Sequence, residues 1–156
     1  MLKKSLSTLE QHFDYVLIDC LPMLGILMVN ALAACDCLLL PVQTEFLALK
    51  GLDRMMHTLG MITKSRKEPL PSTIVPTMFD RRTRASLESL RALREKYTDK
   101  VWSEVIPVDT QFREASRQGL PISMMNKSTR GSKAYKSLLE YMLNPKQERH
   151  LKLVSS

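Results

Sequence analysis

The chain has 156 residues, one domain's worth, with 23 Lys and Arg against 16 Asp and Glu and a formal net charge of +7. Its three cysteines, Cys20, Cys35 and Cys37, are odd in number and two lie in or beside apolar runs, which excludes a disulfide framework and predicts reduced, buried thiols. Residues 1–13 hold no secretory pattern, and the longest apolar stretch, 21–34, is too short for a membrane span and is broken by Asn30. A soluble, cytoplasmic protein with no membrane span is therefore expected.

Aromatic residues make up 6% of the chain, so the core must be built mostly from Leu, Ile, Val, Met and Ala. The basic excess favours polyanions such as nucleic acid or an anionic lipid surface; the plainer alternative is a solvated, merely soluble face. Cys35 and Cys37 form a C-x-C pair with no second pair and no neighbouring His, so no metal site is expected there.

Residues 2–11 read as a helix, with Leu2, Leu6 and Leu9 at helical spacing. Tyr15, Val16, Leu17 and Ile18 form a continuous apolar run ending at Asp19, the mark of a strand buried on both faces. A helix over 24–34 follows, then a second strand over 37–42 with Pro41 near its end. Residues 46–64 are a long amphipathic helix carrying Leu49, Leu52, Met55, Met56, Leu59 and Ile62 along one side.

A third strand is predicted over 73–79 despite Pro76, and a helix over 83–97 with Leu87, Leu90 and Leu93 inward. A fourth strand over 101–106, a helix over 110–118 stopped by Gly119, and a last helix over 132–143 complete the pattern. Residues 1–143 read as one domain and 144–156 as a polar tail. Strands alternating with helices imply an α/β fold, a parallel sheet with helices on both faces. In such sheets ligands bind at the carboxyl ends of the strands.

Asp19 stands at one such end. A carboxylate delivered there can orient a water on a nucleotide-bound Mg²⁺, the arrangement called Walker B; equally, Asp after a strand often caps the next helix. Other segments add context. Residues 13–22, 30–36 and 40–52, then Thr77, Met78, Phe79 and Asp80 through Thr83, then 106–109, 112–115, 119–122 and 128–135, appear in an order that resembles the ParA/Soj/MinD-type P-loop ATPases.

The resemblance implies an incomplete P-loop NTPase fold of the deviant Walker A class, with ATP and Mg²⁺ as cofactors. Asp19 would be the Mg²⁺-side aspartate, acting through water. Pro22 would belong to switch II, where Leu21 replaces the first of the two prolines usual in the family. Thr77, Met78, Asp80, Pro107, Val108 and Asp109 would lie around the adenine, or would be ordinary loop chemistry. Arg81, Arg82, Arg84, Arg113, Lys127, Arg130 and Lys133 would form a basic surface for non-specific DNA, or a solvated face, since Glu88, Glu95 and Glu114 lie among them. The family acts in chromosome and plasmid partitioning and in positioning protein cargo, as an ATP-bound homodimer with a ParB-like or polar-positioning partner. Residues 29–97 look similar to ParA-like proteins of flagellar and chemotaxis gene clusters.

The phosphate-binding pattern G-x-x-x-x-G-K-[ST] is missing. None of Gly25, Gly51, Gly60, Gly119 and Gly131 precedes a Lys. The chain is thus expected to be the C-terminal part of such an ATPase, truncated or split, and inactive alone. Two alternatives remain: an interaction module that binds a partner protein without nucleotide, and an amidoligase of the same superfamily, of the cobyrinic acid diamide synthase type. The latter finds no evident Cys/His pair.

Overall fold

The computed structural model describes residues 2–8, 13–21, 25–64 and 69–143. In chain order the elements are α1 (Leu2–Ser7), α2 (Ile26–Ala34), β1 (Leu38–Gln43), α3 (Phe46–Thr63), β2 (Ser72–Thr77), α4 (Arg84–Lys96), α5 (Gln111–Gln118), α6 (Ile122–Met125) and α7 (Arg130–Leu143). Strands β1 and β2 pair in parallel, Leu38 opposite Ser72 through Gln43 opposite Thr77, with α3 as the crossover.

Side chains on the two strands alternate between two cores, as the pleat requires. Val42 and Ile74 pack with Leu52 of α3 and Leu93 of α4, while Leu40, Leu49, Met56 and Tyr97 close around them. On the opposite face Val75 packs with Trp102, Ile106, and Ala134 and Leu138 of α7, with Leu39 and Phe112 against that cluster. The parallel sheet is therefore covered by helices on both faces, as the alternation of elements predicts. Helices α3 and α4 are also tied at one end, where the Asp53 carboxylate accepts from the Tyr97 hydroxyl at 2.7 Å and pairs with Lys96 at 2.8 Å.

The predicted fourth strand over 101–106 is not a regular strand but two isolated parallel bridges, Ile74 with Val101 and Phe79 with Pro107. Proline explains the gap. The Trp102 and Ile106 amides donate to the Ile74 and Pro76 carbonyls at 2.9 and 2.8 Å, so four residues on one side span two on the other. Pro76 offers no N–H to that side, and the excess residues bend outward. The Ser103 carbonyl in the bend accepts from Arg94 at 2.5 Å.

The predicted strand over 15–18 is not formed either. Residues 13–21 carry no ladder, and Tyr15, Val16 and Leu17 are exposed. A strand is defined by its neighbour, and none among the described residues pairs with this segment. The outer edge of β1 is likewise open. The Leu38 and Thr44 amides donate toward β2, so by alternation those of Leu39 and Gln43 face outward, and Pro41 leaves that edge one donor short.

Smaller corrections follow the same logic. The described part of the first helix ends at Ser7, and residues 9–12 lie outside the described residues. Leu87 is exposed rather than inward, because the face of α4 that meets the core runs through Ser86, Ser89, Leu90 and Leu93. The cysteines are not the buried thiols expected from their apolar neighbours: Cys20 and Cys37 are exposed and Cys35 is half-buried, as they sit in or beside the uncovered segments. The single turn α6 was not predicted. The proposed tail 144–156 lies outside the described residues. Among the described residues no helix is long and apolar enough to cross a membrane.

Candidate functional site

The carboxyl ends of β2 and of the bridged segment beside it meet at residues 77–80 and 106–109. The Phe79 amide donates to the Ile106 carbonyl at 3.1 Å, and the Val108 amide returns to Phe79 at 3.0 Å. Two loops far apart in sequence are thereby fixed side by side at the edge where open α/β sheets bind ligands.

Met78 sits in the left-handed region at φ 53°, and its side chain is exposed. Such a conformation costs a non-glycine residue on the order of 1–2 kcal/mol. It is held by its surroundings. Thr44, buried at the end of β1, donates its amide to the Thr77 carbonyl at 3.1 Å. Its hydroxyl lies 2.6 Å from that of Ser86, which accepts the Asp80 amide at 3.1 Å. Thr83 caps α4 by accepting from the Ser86 amide. The end of β1, the 77–80 loop and the first turn of α4 are thus one hydrogen-bonded unit. Sequence reasoning missed Thr44 and Ser86; the available signal was a hydroxyl residue directly after a strand.

Asp80 and Asp109, both predicted to face a base, spend their carboxylates on the protein. Asp80 holds Arg82 in a two-pronged pair at 2.9 and 2.7 Å and accepts the Arg82 amide at 3.0 Å. The Arg82 side chain, then its amide, hold the Asp80 carboxyl down to about 2. Asp109 accepts from the Gln111 amide at 3.0 Å and from the Gly131 amide, in the first turn of α7, at 2.9 Å. These bonds, Gly131's foremost, lower its carboxyl below the usual range, with help from the Arg130 charge and Thr129. Arg130 acts on Asp80 as well, so the two loops share one cation.

Gly131 is required by close approach. A Cβ there would lie 2.5 Å from the Phe112 ring and 3.2 Å from an Asp109 carboxylate oxygen. The Phe112 ring in turn meets Tyr135 edge-on, with centroids 5.6 Å apart. The segment 128–135 is therefore clamped onto the 107–109 loop. Pro107 is half-buried and Val108 exposed at this rim.

The basic residues divide into two groups. Arg82 is paired with Asp80 and Arg84 with Glu88 at 2.6 Å, both exposed pairs of small energetic weight. Arg81, Arg113, Lys127, Arg130 and Lys133 are exposed and form no ion pair among the described residues.

Asp19 is exposed on the segment 13–21, and Pro22 lies outside the described residues. Among the described residues no three His, Cys, Asp or Glu gather to hold a metal. Asp19 offers an exposed carboxylate, and Met78 and Val108 expose apolar side chains at the rim of 77–80 and 107–109. A triphosphate finds no Gly-rich loop and Lys in these residues.

The chain is similar to known proteins over most of its length. A family model described as "AAA domain" matches residues 1–71. The sporulation initiation inhibitor protein Soj of Bacillus subtilis is 36% identical over 138 residues, covering 88% of this chain and 54% of its own. The chromosome partitioning protein ParA of Caulobacter vibrioides is 36% identical over 141 residues, covering 90% and 53%. Among solved structures, cobyrinic acid a,c-diamide synthase from Mycobacterium smegmatis, bound to an ATP analogue and magnesium, superimposes with a TM-score of 0.73 at 28% identity, over 92% of this chain and 53% of that one. The chain spans about half the length of the curated relatives it matches. Over the region aligned, it belongs to the ParA/Soj-type family of P-loop ATPases.

Proposed function

We propose that these residues form the Mg²⁺-side and base-side part of a ParA-like ATPase that partitions or positions DNA or protein cargo in the cytoplasm. The observation that carries the reading is the paired rim at the carboxyl end of the sheet, where the Phe79–Ile106 and Val108–Phe79 hydrogen bonds hold residues 77–80 against 106–109. Thr77, Met78, Asp80, Pro107, Val108 and Asp109 shape that rim. Their contribution is position: Met78 and Val108 present exposed apolar side chains for a base face, while Asp80 and Asp109 stiffen the loops from behind.

Mg²⁺ bound with ATP would supply charge neutralisation for phosphoryl transfer. Asp19 would orient a water toward that ion, and Pro22 would belong to the switch beside it. The phosphate side does not fit, because the 156 residues contain no G-x-x-x-x-G-K-[ST] sequence, and no hydrolysis by these residues alone is proposed. Arg81, Arg113, Lys127, Arg130 and Lys133, with Arg82 and Arg84 beside them, supply charge for non-specific DNA. A homodimer and a ParB-like or polar-positioning partner complete the reading.

Two other readings have specific support. The open apolar segments favour an interaction module that works without nucleotide, and the likeness to a cobyrinic acid a,c-diamide synthase favours an amidoligase relative. Titration of the chain with MgATP, followed by amide NMR shifts, separates the nucleotide-binding readings from the nucleotide-independent module. We expect shifts at Thr77, Met78, Val108 and Asp19, with no turnover above background. Shifts confined to exposed Lys and Arg would remove the base-loop reading. Mg²⁺-dependent turnover lost in Asp19→Ala would show that these residues suffice for hydrolysis.

A further inference from the structure

The junction between α2 and β1 carries two thiols. Helix α2 ends at Ala34, and Cys35 caps it, donating its amide to the Ala31 carbonyl at 2.9 Å. Cys37 directly precedes Leu38, the first residue of β1. The junction thus lies at the opposite end of β1 from Thr44 and the rim that Thr44 supports. Asp36 and Cys37 are exposed and Cys35 is half-buried, so solvent and small solutes reach the pair.

The spacing is within reach of a bond. Two trans peptide units separate Cys35 from Cys37, at most roughly 6.6–7.2 Å between Cα atoms in a fully extended chain. The chain bends at Asp36, which draws the two closer. A disulfide accepts a Cα separation of about 4.4–6.8 Å. Cys35 already stands outside the helix, at φ −82° and ψ 152°, so its side chain can turn without unwinding a helical residue. Its thiol donates to the Leu32 carbonyl at 3.7 Å, a weak bond that is given up at small cost.

We infer that Cys35 and Cys37 form a reversible dithiol–disulfide site whose substrates are low-molecular-weight disulfides of the glutathione type. Cys37, the more exposed thiol, reacts first: it gives its proton to solvent, and its thiolate attacks one sulfur of the small disulfide. That S–S bond breaks, one small thiolate leaves, and Cys37 is held as a mixed disulfide. Cys35, its proton likewise given to solvent, attacks the Cys37 sulfur and expels the second small thiolate. The chain gives up two electrons and two protons for one new S–S bond, and the small disulfide takes them up as two thiols. The closed ring ties the C-cap of α2 to the residue before β1. A ring so short and so open to solvent belongs with the readily reduced disulfides, not with the structural ones. Nucleotide has no part in it, so it stands apart from the base-loop reading.

The test incubates the full 156-residue chain with oxidised glutathione, alkylates the remaining thiols and maps them by mass spectrometry. Two of the three thiols should escape alkylation, as a Cys35–Cys37 bond, with only Cys20 accessible to the reagent, and dithiothreitol should restore all three. Cys35→Ser should stop at the mixed disulfide, with glutathione retained on Cys37. Ring closure should run about fivefold or more faster in the folded chain than in concentrated urea, because the bend holds the thiols near each other. The inference is overturned if both thiols stay open to alkylation, if the parent also stops at glutathione on Cys37, or if the bond maps to Cys20 or joins two chains. Equal closure rates in the folded and unfolded chain overturn it as well.

Discussion

From β2 to α7 the core is closed: Trp102 and Leu93 are 1% exposed, Ile74 is fully buried, and loops are tied by hydroxyl and carboxylate bonds such as Thr44–Ser86 and Asp109–Gly131. Between residue 13 and the start of α3, side chains of the same apolar kind stand open at Leu17, Ile26, Leu27, Phe46 and Leu47. Leucine and isoleucine side chains serve in both regions. The regions differ in whether a neighbour is at hand. Apolar composition states how much cover a segment wants, and says nothing of which chain provides it.

The largest effect should come from the closed region. Trp102→Ala removes the largest fully buried side chain and is expected to cost about 3–5 kcal/mol in urea unfolding. Leu17→Ala, an apolar deletion in the open region, should stay within about 0.5 kcal/mol. Equal costs would erase the contrast between the regions.

Next in size is Gly131→Ala. Its new methyl meets the Phe112 ring at 2.5 Å, so a loss of about 1–3 kcal/mol is expected, recovered at least in part by Phe112→Leu in the same chain. A variant as stable as the parent would show that the 128–135 clamp is slack.

The smallest effect is a pH dependence. The Asp109 carboxyl is lowered in the folded chain, mainly by the Gly131 amide. Its stabilising contribution is therefore complete above the ordinary carboxylate value of about 3.9 and fades as pH falls through that value toward the lower folded one. Asp109→Asn removes this titration, so stability measured between pH 5 and pH 2, on the order of the range where carboxylates protonate, should fall less steeply than in the parent. Identical acid limbs would deny Asp109 its capping role.

Much of the fold was legible because local signals agreed with tertiary demand. The spacing of Leu49, Leu52, Met56 and Leu59 marks α3, Thr83 caps α4, and Gly119, at φ 64°, ends α5. What failed was pairing. The run at 15–18 carries strand chemistry but no partner among the described residues, and 101–106 meets the missing donor of Pro76. At the candidate site, the sequence could place Thr77, Met78 and Asp80 after a strand. It could not show that Asp109 turns to Gly131, 22 residues away, although the pairing of Asp80 with Arg82 spans only two residues. Thr44 and Ser86 escaped for the same reason: their contact spans 42 residues.

Pro41 carries a consequence for the behaviour of the protein in concentrated solution. An uncharged, leucine-rich edge invites copies to stack strand upon strand into fibrils, where each chain must offer an unbroken row of donors to the next. One ring at the middle of that row interrupts every such stack at the same place. Pro41 thus leaves the edge of β1 one donor short of the row that self-templated stacking needs.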